Sequence, residues 1–153
     1  VKNVTLNPKQ KRRELMKRLA SVAIVVACVA ATYASTAVAA DRPADRVVAM
    51  YFHRTQRCPT CLKMGSYTEE AIKTGLAAQL EKGSVELHFI DFQNKKNAAL
   101  TKGYKITGPA LIVAKVEANK VKKYKDLKDI WTKVREKSQF IEYVDENVQA
   151  YMK

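Results

Sequence analysis

The apolar run Val47-Val48-Ala49-Met50-Tyr51-Phe52 and the residues just after it constrain the fold more than any other part of the chain. An unbroken apolar run rich in strand formers suits a strand covered on both faces. Beyond His53 and the polar stretch Arg54-Thr55-Gln56-Arg57 comes Cys58-Pro59-Thr60-Cys61. Pro59 fits the first turn of a helix, where a missing N–H costs nothing. Met64, Tyr67, Ala71, Ile72, Leu76 and Leu80 then recur at three- and four-residue steps, the pattern of an amphipathic helix. Gly75 weakens that helix slightly and Gly83 suits its C-terminal cap. The pattern predicts strand, loop and helix, with Cys58 at the open helix N-terminus and Cys61 on the inward face below it.

The rest of the chain continues in the same style. Val85-Glu86-Leu87-His88-Phe89 alternates with period two and reads as a second strand reaching about Phe92. Asn94 to Lys102 reads as a short helix ended by Gly103. Pro109 opens a third apolar run, Ala110 to Ala114. Glu117-Ala118-Asn119-Lys120 reads as a hairpin turn, with Val121 to Tyr124 as the return strand. Ile130, Val134, Ile141, Val144, Val148 and Tyr151 predict one long terminal helix across the sheet. The order is β-α-β-α-β-β-α, an α/β domain over 46–153 with a central mixed four-stranded sheet flanked by helices. Alternation of the first three strands with helices implies parallel neighbours joined by crossovers, and the last pair an antiparallel hairpin. Trp131 reads as core packing on the last helix. Tyr51, Tyr67, Phe89 and Phe92 read as core or rim residues.

Residues 1–40 read as a different object. Lys9 to Arg18 is strongly basic, and the 22 residues Leu19 to Ala40 carry no charge and end in Ala37-Val38-Ala39-Ala40. A basic end, a short apolar run and small residues before a cut site are the parts of a secretory signal. The same run is an N-terminal membrane anchor if it is not cleaved, and Val25-Val26-Ala27-Cys28 resembles a bacterial lipidation box. Asp41 to Asp45 is a short linker. These features predict export, to a bacterial periplasm or cell envelope, where disulfides persist. Without residues 1–40 the formal charge falls from +13 to +7, and Cys58 and Cys61 are the only cysteines left.

That pair is the main chemical signal. Backbone N–H groups and the dipole at a helix N-terminus stabilise a thiolate, and Arg54 and Arg57 just upstream add positive potential. Cys58 is then the reactive sulfur, with a pKa below the free value of ~8.5. Two other readings stand beside this one. The cysteines could form a fixed structural disulfide, or hold copper(I) or zinc with His53 nearby. His53 and His88 otherwise read as ordinary strand-end or surface residues. Nine Lys or Arg lie between Lys115 and Lys137. Interleaved with the apolar pattern of a hairpin and a helix, they read as a solvated face and not as a nucleic-acid site.

The strand, the Cys58-Pro59-Thr60-Cys61 motif and the helix together resemble the thioredoxin superfamily. Gly103-Tyr104-Lys105-Ile106-Thr107-Gly108-Pro109-Ala110-Leu111-Ile112-Val113 looks like the family's segment that ends in a cis-proline before the third central strand. The resemblance covers about Val47 to Lys153 and implies the minimal thioredoxin-like fold. It implies that Pro109 follows a cis bond and packs beside the disulfide, and that Gly108 offers backbone groups to a bound polypeptide. It implies an exported thiol–disulfide oxidoreductase acting through Cys58 and Cys61, with no cofactor or metal. Its partners would be protein dithiols and disulfides and a redox partner protein. Nucleic acid is not among them, and the membrane is one only if the N-terminal segment stays uncleaved. A metal-delivery module using the same cysteines is the alternative. Three departures stand out. Arg57 replaces the family's usual Trp before the first cysteine. No acidic residue occurs in Val47 to Phe52, where the classical buried acid would sit. Pro-Thr matches neither the thioredoxin nor the isomerase dipeptide.

Overall fold

The computed structural model describes residues 42–153. The signal, anchor and Cys28 lipidation readings of residues 1–40 lie outside the described residues. Strand β1, Arg46–His53, leads into helix α1, Pro59–Glu70. The helical path continues through a wide π turn, Ala71–Gly75, and a short helix α2, Ala77–Glu81. Strand β2 is Val85–Asp91, followed by a 3-10 turn, Lys95–Asn97, and helix α3, Ala98–Gly103. Strands β3, Ala110–Glu117, and β4, Lys120–Asp126, form a hairpin, and helices α4, Ile130–Lys133, and α5, Lys137–Met152, complete the domain.

The sheet is mixed and four-stranded, in the order β2-β1-β3-β4. Strand β1 lies inside it, parallel to β2 and antiparallel to β3. The expected parallel alignment of the first three strands is therefore corrected: only β1 and β2 are parallel. The path of the connection explains this. Residues 92–109 are spent on turns and on the six-residue α3, whose ~9 Å rise does not run back along the ~23 Å of a seven-residue strand. The connection instead crosses the end of β1, and β3 starts there, with Ala110 opposite Phe52.

Burial follows the pleat. Val47, Ala49 and Tyr51 face one core with Leu111 and Val113, roofed by Met64, Ile72 and Leu76 and by Phe140, Val144 and Val148 of α5. Val48, Met50 and Phe52 face a second core with Ile90, Ile112, Ala114 and Val116, against which Phe92, Tyr104 and Ile106 pack. This two-sided burial is why β1 reads as one unbroken apolar run.

Both long helices differ from their periodic reading. The first breaks after Gly75, the weakest helix former in it, and Leu76 leaves helical geometry at φ −125°. Gly83, at φ 70°, closes α2 in a left-handed conformation open to glycine. The terminal helix is two helices, because Glu136 is extended at φ −120°, ψ 105°. The buried set of α5 is Phe140, Val144 and Val148. Phe140 lies six residues beyond Val134, out of helical phase with it, so one continuous helix could not bury both. The β3–β4 turn places Ala118 and Asn119 at φ 50° and 60°, the paired positive values of a type I′ hairpin.

Candidate active site

The site forms where β1 ends. The loop after His53 is tied to the neighbouring strand: the Thr55 hydroxyl donates to Asp91 Oδ2 at 2.7 Å, and the Thr55 N–H donates to Gln93 Oε1 at 3.1 Å. The Thr55 hydroxyl is the main reason the Asp91 carboxyl titrates below its ordinary range. This anchoring fixes where the chain enters α1.

Cys58 is the N-cap of α1, extended at φ −73°, ψ 160°, with Pro59 in the first turn. It is exposed, whereas Cys61 is 4% exposed. The two form a disulfide with Cα atoms 5.1 Å apart. Cys58 Sγ also accepts the Cys61 backbone N–H at 3.2 Å. One of the unpaired donors of the helix start thus points at this sulfur, as thiolate stabilisation requires.

The two upstream arginines are held by their own neighbours. Arg57 Nη2 lies 2.6 Å from His53 Nε2, and the Arg57 guanidinium sits 5.8 Å from the centre of the Phe89 ring. His53 Nδ1 lies 2.9 Å from the Arg54 carbonyl. A neutral imidazole with its proton on Nδ1 satisfies both contacts, because Arg57 has only donors. Arg54 lies over Phe92 at 5.9 Å. With both its nitrogens engaged, His53 is not a free metal ligand. No group of three His, Cys, Asp or Glu that could hold a metal occurs among the described residues.

Tyr51 lies directly beneath the pair. It is fully buried, and its hydroxyl donates to the Cys61 carbonyl at 2.8 Å. Phe89 meets it edge-on, with ring centres 6.0 Å apart. Gly65 provides the room: a Cβ there would stand 3.2 Å from Tyr51 Cε1 and 3.5 Å from Phe89 Cε1. Burial pushes the Tyr51 phenol up to about 12, against a smaller lowering by Arg57. A raised acid pKa stabilises the fold below the unfolded value of 10 and loses that stabilisation as pH rises through about 12. We therefore expect denaturant-measured stability to fall by about 2 to 3 kcal/mol across that window through Tyr51 alone, two pKa units' worth. The informative quantity is the difference from Tyr51→Phe, which should lack this component. Equal alkaline losses in both proteins would contradict the assignment.

Gly108 and Pro109 stand at the same end of the sheet, just before the Phe52–Ala110 pair. No cis peptide bond occurs among the described residues, so the expected cis bond before Pro109 is corrected to trans. Trans is the preferred X–Pro isomer unless its surroundings impose cis, and nothing lies within 4 Å of where a Gly108 Cβ would stand to crowd the bond. The two residues line a shallow groove of about 240 Å³ with Lys105, Asp126, Lys128 and Trp131. Trp131 is 47% exposed, which corrects its reading as core. It lies in the four-residue helix α4, whose inward position is taken by Ile130.

The structure thus brings together Cys58, Cys61, Arg57, His53 and Tyr51. Sequence reasoning assigned Tyr51 to the core without a role and passed over Gly65. The available signal was spacing. Gly65 is four residues after Cys61 and so lies on the same helix face, above the strand residue that ends in a hydroxyl.

Fold and site together define a small mixed α/β domain with a C-x-x-C disulfide at the start of its first helix. No family model matches the chain, and no curated protein matches it. A solved structure described as "Structure of a malarial protein" is similar to 57% of this chain and 96% of its own, with 18% identity and a TM-score of 0.37.

Proposed function

We propose that the domain is a thioredoxin-like, exported thiol–disulfide oxidoreductase that works through Cys58 and Cys61. The observation that carries this reading is the asymmetry of the disulfide. One sulfur is exposed at a helix N-terminus and receives a backbone N–H, and the other is buried one turn below it. In the reducing direction the Cys58 thiolate attacks a client disulfide, one client sulfur leaves as a thiolate, and a mixed disulfide forms at Cys58. The Cys61 thiolate then attacks Cys58 Sγ, closing the protein disulfide and releasing the second client thiolate. The oxidising direction is the reverse, and no cofactor enters either route. Arg54 and Arg57 raise the positive potential at Cys58. Gly108 and Pro109 present backbone to the client polypeptide. Leu62, exposed beside Cys61, adds apolar surface. The compartment is the periplasm or cell envelope, a reading supported by residues 1–40 alone.

Mass measurement on the folded protein across a series of glutathione redox buffers tests the proposal. A single two-electron transition, with the reduced form heavier by two hydrogens, is expected. A disulfide that resists reduction until the protein is denatured would make the pair a structural staple. A free dithiol that copurifies with equimolar metal, removed by a chelator, would replace the redox reading with the metal-delivery one.

A further inference from the structure

Tyr51 bridges the central strand and the cysteine-bearing turn of α1 from below. We propose that Tyr51 is a positioning residue for the resolving step: its hydroxyl, donated to the Cys61 carbonyl, keeps the Cys61 sulfur aimed at Cys58 once the disulfide is open. The inference rests on the redox reading above and deepens it.

While the disulfide is closed, its covalent bond fixes Cys61. In the mixed-disulfide state that bond is gone. Helix starts are the weakest part of a helix, because their N–H groups lack intrahelical partners. The 2.8 Å bond from Tyr51 still ties this turn to the sheet. Tyr51 can serve as a fixed post because it is itself immobilised. It is fully buried, with Phe89 edge-on to its ring and the α1 backbone at Gly65 close against it. Its phenol, pushed up to about 12 by burial, keeps its proton at ordinary pH and donates it to the Cys61 carbonyl. It therefore does not take over proton transfer from the absent acid. It acts on geometry: intramolecular attack depends on holding the reacting atoms close and aligned.

The step it serves is balanced. Cys61 loses its proton to solvent, and its thiolate attacks Cys58 Sγ. The Cys58–Cys61 bond forms as the bond from Cys58 to the client sulfur breaks. The electron pair leaves on the client thiolate, which water reprotonates.

Dithiobis(nitrobenzoate), a coloured aromatic disulfide, separates the two steps without a natural client. Attack by Cys58 of the reduced full chain releases one nitrobenzoate thiolate in a bimolecular phase. Attack by Cys61 releases the second in a phase independent of reagent concentration. In Tyr51→Phe, which keeps the ring, the first phase should stay within ~2-fold of wild type and the second should slow ~5- to 10-fold, the loss of one hydrogen bond's worth of positioning. Gly65→Ala keeps the hydroxyl but presses a methyl group onto the ring, and should also slow the second phase selectively. An unchanged second phase in folded Tyr51→Phe overturns the proposal, and so does an equal slowing of both phases, which marks a merely structural loss. If Tyr51→Phe does not fold, an unchanged second phase in Gly65→Ala overturns it. A wild-type protein that releases no second thiolate would sink the redox reading of the pair itself, and this inference falls with it.

Discussion

Cys58→Ser should abolish mixed-disulfide formation, whereas Cys61→Ser should accumulate it. The difference follows from where the two sulfurs sit. Cys58 is exposed at the N-cap and receives the Cys61 N–H at 3.2 Å. Cys61 is 4% exposed and faces the core with Met64. A serine oxygen at position 58 keeps the cap but is not a thiolate, so disulfide exchange with any client should fall by at least ~10³-fold, the scale on which removing a nucleophile acts. With serine at 61 the attacking sulfur survives and nothing resolves its product, so the protein should be found linked to client polypeptides through Cys58. Non-reducing electrophoresis followed by peptide mass mapping would read both outcomes. Linkage through position 61 in Cys58→Ser, at a rate near that of the wild type, would reverse the assigned roles. Disulfide exchange persisting in both variants would put the chemistry elsewhere in the chain.

Phe140→Ala should cost about 3 to 5 kcal/mol, among the largest effects of truncating a buried side chain. Phe140 is fully buried in the core under α5 and meets the Tyr67 ring at 5.6 Å in an edge-on contact. Removing it leaves a cavity between α5 and α1, lined by side chains held on helix and sheet backbone that collapses only partly. Domains of this size are stable by roughly 5–15 kcal/mol, so much of the total is at stake. With ~4–8 °C per kcal/mol for a domain near this length, the melting midpoint should drop by ~12 °C or more. Trp131→Ala is the matched comparison. It removes a larger ring, but one that is 47% exposed, and should cost less than ~1 kcal/mol. A small loss at Phe140 together with a large one at Trp131 would mean that α5 does not roof the core.

These two aromatics also show where sequence and structure divide the work. Local pattern carried the elements whose neighbours are dictated by the chain itself. The unbroken run from Val47 to Phe52 was legible as a two-sided strand because both of its faces are buried, in separate cores. The Cys58 N-cap was legible because Pro59 and the helical period after it leave only one place for the helix to begin. The hairpin was legible in Ala118-Asn119, where the turn needs two positive φ values.

Tertiary structure decided what depends on distance between elements. The direction of β3 was not readable from its residues, because alternating strands and helices suit a parallel return only if the connecting segment runs back along the strand, which its length alone does not decide. Whether Phe140 or Ile141 faces the core depends on the break at Glu136, which shifts the helix phase by an amount the period alone does not fix. Trp131 is apolar in composition yet exposed, since the adjacent Ile130 already fills the inward position of a single-turn helix. The isomer before Pro109 is set by its surroundings, and there they leave the bond trans. The role of Tyr51 depends on the register between β1 and α1, which sets its hydroxyl 2.8 Å from the Cys61 carbonyl. A sequence displays each residue's chemistry and its own period. Which hydroxyl meets which carbonyl is fixed only when separate elements pack.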